Sequence, residues 1–211
     1  MRREFHVRFC EGPGGKFPRA TRLVLLFEQE RDARRVLEVL PKRLGKFGLQ
    51  MHPDKTRLVR FPRPQQRPAG STQASPGPES FDFLGFTHYW GKSWKGRWVV
   101  KRRTAKSRFT RSVKGVRMWC QRYRHLPLAV QHDALCQKLR GHLGYYGLTG
   151  NYEALVRFRW EVRRTWYKWL CRRSQRGRMS WDDYQRLLGR YPLPPPRVAH
   201  SVYRPSAKPV T

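Results

Sequence analysis

Residues 101–124, KRRTAKSRFTRSVKGVRMWCQRYR, decide how this chain is read. Ala105, Phe109, Val113, Val116, Cys120 and Tyr123 recur at spacings of three and four, which predicts one apolar stripe along a helix starting near Thr104. Ten residues of the stretch are Lys or Arg and none is acidic. Surface helices ordinarily mix signs, because like charges one turn apart destabilise by roughly 0.2–0.5 kcal/mol per pair. A helix that hides this stripe leaves the rest of its surface almost uniformly positive. A phosphate backbone is the anion that matches such a surface.

The bias extends outward. Between Asp82 and Asp133 there are thirteen Lys and Arg and no acidic residue. The 211-residue chain carries 46 Lys and Arg against 14 Asp and Glu, a formal net charge of +32. A compact body with that charge repels itself, and a polyanion that sheds counterions relieves the repulsion. At 38% hydrophobic and 13% aromatic the chain still has enough to bury a core. No apolar run approaches the roughly 20 residues of a spanning helix, and no lipidation motif stands at either end, so no membrane partner is expected. The start, MRREFHVRFC, lacks a secretory signal, and Cys10, Cys120, Cys136 and Cys171 form no C-x-x-C pair. A cytoplasmic protein with its cysteines as small buried hydrophobes or free thiols is the expectation.

Carboxy-terminal to the first stripe, Pro127 ends the helix, and 128–146 carries Leu135, Leu139, Leu143 and Tyr146 as a second stripe. Gly147 and Gly150 mark a turn, and Asn151 is placed to cap a third helix over 151–173. That helix should bury Leu155, Phe158, Val162, Trp166 and Trp169, with Val156, Trp160 and Tyr167 widening the face. Short joints make the three a bundle. Ser180 precedes a short helix over 181–188, and prolines at 192–196 end regular structure.

Toward the amino terminus the signals change. Residues 81–90 and 97–102 read as two strands of a β-hairpin around GKSWKG, and 62–80 has linker composition. LVLLF at 23–27 suits a buried strand, 28–47 a helix closed by Gly48, and 49–61 an extended segment. Residues 1–22 show no sustained period. The expected fold class is therefore α+β. Its parts are an atypical or disordered start (1–22), a strand-helix-strand unit (23–61), a flexible linker (62–80), a β-hairpin (81–103), a basic helical domain (104–190) and a Pro-rich tail (191–211).

The candidate RNA contacts are Lys101, Arg102, Arg103, Lys106, Arg108, Arg111, Lys114, Arg117, Arg122 and Arg124, followed by Arg157, Arg164, Lys168 and Arg172 on the third helix. Tyr89, Trp90, Trp94 and Trp98 interleave with cations; most suit a core, and Trp94, in the polar loop, is the one expected in solvent. Signs of catalysis are missing. No carboxylate pair ends an expected strand. Asp182 and Asp183 fit the first turn of a helix, and His52, His88, His125, His132 and His142 share no ligand spacing. No nucleophile elbow, phosphate-binding loop or H-E-x-x-H motif occurs.

The order of LVLLF, GLQMHPDKTRLV, FDFLGFTHYW and a basic bundle containing LRGHLGYYGLTGN resembles the group II intron reverse transcriptase–maturases over 23–204. The resemblance implies the end of a polymerase palm, a primer-contacting hairpin holding Gly85 and Phe86, and a thumb or maturase domain. It adds Arg140 and His142 to the RNA contacts, with Tyr145, Tyr146 and Gly150 in the same motif, and places Lys55 beside the polymerase site. It also exposes a departure. Where the family has Tyr-Ala-Asp-Asp, this chain aligns Arg19, Ala20, Thr21 and Arg22, and neither Thr21 nor Arg22 can take the place of a metal-binding carboxylate. The expectation is a carboxy-terminal fragment with no catalytic residue and no metal of its own; Mg²⁺ belongs to the complete family enzyme. Its partners would be structured intron RNA and, as a further ligand, an RNA/DNA hybrid. Two other readings stay open: a polymerase subunit completed in trans by a chain carrying the catalytic Asp residues, or a degenerate product without function.

Overall fold

The computed structural model describes residues 5–10, 22–51, 56–64, 80–174 and 179–201. The chain forms two compact units, Met1–Lys101 and Arg102–Thr211. Lys55, residues 65–79 of the expected linker and residues 202–211 of the expected tail lie outside the described residues.

The first unit opens with strand β1, Phe5–Cys10, followed by β2, Arg22–Phe27, helix α1, Glu30–Gly45, and β3, Arg57–Arg60. β1 is the middle strand, antiparallel to both neighbours, with Phe5 opposite Phe27 on one side and Arg60 on the other. This corrects the expectation that 1–22 is irregular throughout. FHVRFC alternates apolar and polar residues, but over six residues only, and its ladder partners are distant in sequence. α1 covers the sheet with Ala33 fully buried, and Leu25, Phe27, Leu37, Leu40, Met51 and Leu58 pack around it. Glu30 and Asp32 in the first turn and Lys42 and Arg43 in the last complement the helix dipole. The expected closure at Gly48 is present. Gly48 adopts φ 70°, and the Leu49 N–H donates back to the Leu44 carbonyl at 3.0 Å.

A second sheet holds β4, Phe81–Phe83, β5, Phe86–Lys92, and β6, Trp98–Thr104, in that order. The stretch read as one strand over 81–90 is thus two, joined by a two-residue turn. Leu84 and Gly85 both take positive φ, 48° and 83°, the geometry of a type I′ hairpin. Leucine is an unusual residue there, costing roughly 1–2 kcal/mol relative to the right-handed region. Thr87 donates to Asp82 across the pair. Phe61, just after β3, is buried between Phe81, edge-on at 5.1 Å, and Trp90, stacked at 5.3 Å.

The second unit is helical: α2, Lys106–Arg122, α3, Leu128–Tyr146, α4, Tyr152–Leu170, and α5, Trp181–Arg190. The three expected stripes meet in one core containing Val116, Cys120, Leu135, Leu139, Phe158, Val162 and Trp166. α4 differs from expectation at its margin. Val156 and Trp160 are exposed and do not widen the buried face. α5 docks through Tyr184, which is fully buried and donates to the Arg163 carbonyl at 2.7 Å. Ser180 and Asp183 form a capping box at its start. The proline segment is held against the bundle: Leu193 is buried, and the Arg159 guanidinium donates to the Pro194 carbonyl at 3.0 Å.

Asn151 occupies the position before α4, as expected, but its side chain does not cap that helix. It is buried and points back. Its Oδ1 accepts from the Thr104 N–H at 2.8 Å, and its Nδ2 donates to Thr104 Oγ1 and to the Tyr146 carbonyl, each at 2.9 Å. One amide thus fixes the entry to α2, the end of α3 and the start of α4. Asn151→Ala leaves a buried donor and acceptor unsatisfied and should destabilise the full chain by about 2–4 kcal/mol, read as a fall in the urea midpoint followed by far-ultraviolet circular dichroism.

Candidate nucleic-acid interface

α2 and α4 lie side by side, and two pairings give their direction. Phe109 meets Phe158, with ring centroids 6.1 Å apart, and Arg117 stands near Lys168. Both residue numbers rise together, so the helices run parallel. Their apolar stripes face inward, and their cations are left on the outer side.

Lys106, Arg111, Lys114, Arg117 and Arg122 of α2 are exposed, with Arg108 and, just past the helix end, Arg124 half-buried; Arg157, Arg164 and Lys168 of α4 are exposed, as is Arg172 in the turn that follows it. The two sets converge at Lys168. Arg117 from α2, then Arg172 just past α4 and Arg164 within it, crowd its ammonium and lower its pKa. An ammonium whose pKa falls in solvent marks a strongly positive local potential. Glu161 is the acidic residue closest to this group along α4, one turn from Arg157 and from Arg164.

The means of holding these cations matters. Arg157 lies over Phe109 at 5.3 Å, Arg164 over Trp160 at 5.0 Å and Arg172 over Trp169 at 5.5 Å. A ring face orients a guanidinium without cancelling its charge. α1 does the opposite. Arg34 is paired to Glu30 at 2.6 Å, and Arg31 sits 3.8 Å from Asp32. An ion-paired helix and a face where cations far outnumber carboxylates therefore occur in one chain.

Other expected residues fall elsewhere. Lys101, Arg102 and Arg103 lie along β6, and Lys101 lays its methylenes over Gly91, where a Cβ would come within 2.8 Å of Cδ. Gly85 sits in the β4–β5 turn, and Phe86 is buried. Arg140 and Tyr145 are exposed on α3, whereas Tyr146 is buried. His142 is a correction. Its ring stacks on Phe158 with centroids 3.6 Å apart, its Nε2 is buried without a hydrogen bond, and burial lowers its pKa to about 4. A neutral imidazole packed in the bundle offers no positive charge to a phosphate at neutral pH.

A recess of about 550 Å³, which helical periodicity does not reveal, opens at the end of α2, lined by Met118, Trp119, Gln121, Arg122, Tyr123 and Arg124. Lys138 of α3 lies over Trp119 there, at 5.5 Å. The interleaving of aromatics and cations in MWCQRYR is the signal that could have pointed to it. Cys120 and Cys136 are buried free thiols, and burial pushes Cys120 up to about 12, well away from reactivity. Among the described residues no group of three or more His, Cys, Asp or Glu is arranged to hold a metal, and no helix is long and apolar enough to cross a membrane.

No protein-family model matches the chain, and no curated protein matches it.

Burial of His142 carries a pH signature. The unfolded imidazole takes a proton near pH 6.5, and the folded one resists until about pH 4. Stability is therefore full above pH 6.5 and declines as pH falls toward 4, by up to about 3 kcal/mol. His142→Phe should remove that component, so urea midpoints of the two proteins, compared from pH 7 to 4, should diverge as pH falls. Parallel curves would mean the ring is solvated.

Proposed function

We propose that this chain is an RNA-binding protein whose helical unit grips the phosphate backbone of folded intron RNA. The observation that carries the reading is the joint cationic face of α2 and α4, where Arg117, Arg164, Lys168 and Arg172 converge. Phosphates are the counter-charge such a face lacks, and binding releases their condensed cations. The choice of RNA rests on the resemblance of the chain's ordered motifs to the group II intron maturases. In that reading the protein holds the intron in its active shape, and the RNA performs the transesterification. Polymerisation is not the role of this chain by itself, since Arg19, Ala20, Thr21 and Arg22 stand where the family's metal-binding motif would align. The cytoplasm is the proposed compartment.

Affinity of the full chain for a structured group II intron RNA, measured by filter binding, should fall steeply with salt. For single-stranded segments the log–log slope is about −0.7 per phosphate neutralised. Replacing Arg111, Lys114 and Arg117 together by Gln should make that slope shallower by about 2 and weaken binding with the fold intact, since solvated helix positions tolerate Gln. The same change at Arg31, Arg34 and Arg35 should do less, because Arg31 and Arg34 already have acidic neighbours. Equal losses in the two triple variants would mean that bulk charge alone binds. Nucleotide incorporation by the purified chain with Mg²⁺, primer and RNA template would refute the non-polymerase reading.

A further inference from the structure

The tip of the β5–β6 hairpin carries Trp94, a side chain as exposed as in an extended peptide, at 103% of its reference area. Tips favour Gly, Asn, Asp and Ser, whose backbone preferences suit turns, and tryptophan has no such merit. Nor does the fold use it. Among the described residues Trp94 makes no ring contact and no side-chain hydrogen bond, while Trp90 stacks on Phe61 and Trp98 lies under Lys92 at 5.7 Å.

The turn that presents it is built. The Ser93 N–H donates to the Arg97 carbonyl at 2.7 Å, and the Gly96 N–H to the Ser93 carbonyl at 3.0 Å. The Arg97 N–H also donates to Ser93 Oγ at 3.1 Å, and Gly96 supplies the positive φ of 71° that the reversal needs. The backbone under the indole is therefore ordered before any ligand arrives, which leaves mainly two side-chain torsions to be fixed on binding. Lys95 and Arg97 flank it, both exposed, and the nearest acidic residues along the chain are Asp82 and Asp133.

We propose that Trp94 is a nucleobase-stacking element: an unpaired base lies on the indole, and the adjoining phosphates lie on Lys95 and Arg97. The proposal deepens the RNA-binding reading and rests on it. An aromatic face with cations beside it is the arrangement that takes single-stranded nucleic acid without sequence preference, because every base has a π-face. A lipid surface fits less well. Membrane binding grows with buried apolar area, and Ser93, Lys95 and Gly96 leave Trp94 as the tip's one large apolar group.

The test uses the full chain with two probes, a short oligoadenylate and a blunt RNA duplex matched in phosphate number, each at two salt concentrations. Trp94→Ala should weaken oligoadenylate binding about 5- to 100-fold, Trp94→Phe should keep most of the affinity, and duplex binding should hardly change. The wild-type-to-alanine ratio should stay constant between the two salts, since stacking is not screened as ion contacts are. Unchanged oligoadenylate affinity in Trp94→Ala overturns the proposal and leaves general RNA binding standing. Equal loss on the duplex, or a ratio that collapses at high salt, overturns it as well. So does loss of binding to anionic phospholipid vesicles in Trp94→Ala with RNA affinity unaltered. A wild-type chain that binds neither RNA ends the RNA reading and this proposal together.

Discussion

Two helices of like charge lie against each other in the second unit, and the apolar seam between them makes that arrangement stable. Phe109, Val116 and Cys120 on α2 share a core with Phe158, Val162 and Trp166 on α4. Each large buried side chain contributes about 1.5–3 kcal/mol. Repulsion between exposed like charges one turn apart costs a few tenths of a kcal/mol, roughly, and is screened by salt. Burial wins by a wide margin, so the bundle can carry cations at the density seen around Lys168. The cationic face exists because the seam tolerates it.

Polar atoms inside the bundle fix the register that burial alone leaves loose. The Gln131 side chain accepts from Trp166 Nε1 at 3.0 Å and donates to the Arg124 and Leu126 carbonyls at 2.9 Å, tying the α2–α3 joint to the last turns of α4. Asn151 does the same at the other end, through Thr104 and Tyr146. A buried amide must satisfy every donor and acceptor or lose more than it gains, so each of these side chains admits few alternative arrangements. The consequence for the proposed RNA surface is geometric. Arg157 and Arg164 ride on a helix held near both ends, Arg172 directly follows it, and aromatic rings orient all three without neutralising them. A preset spacing of positive charges spares a polyanion part of the ordering cost of binding.

Legibility followed the range of the interactions. The helices were readable because a period of 3.6 shows within one segment: Val116, Leu139 and Val162 at the centres of the stripes are buried, whereas Tyr123, at the end of the first, is exposed. Short strands were harder. Phe5–Cys10 is too brief to stand out until Arg22–Phe27 and Arg57–Arg60 flank it. The turn at Leu84 was hidden because leucine does not advertise a positive φ. Trp94 could be placed in solvent from its polar neighbours alone. Val156 and Trp160 could not, since their exposure depends on how far neighbouring helices wrap α4.

The sequence by itself determined the sign and segmental placement of the charge, the number of bundle helices and the residues at the centre of their inner faces. These properties are local, settled by composition and by the geometry of one helix. Tertiary structure decided which cations stand together. Arg117 and Lys168 are far apart in the chain and become neighbours only when α2 and α4 pack in parallel. It also decided that His142, placed by the family resemblance among the RNA contacts, stacks on Phe158 and stays neutral. Electrostatic character depends on solvation and on through-space distance, and neither quantity exists until the chain has folded.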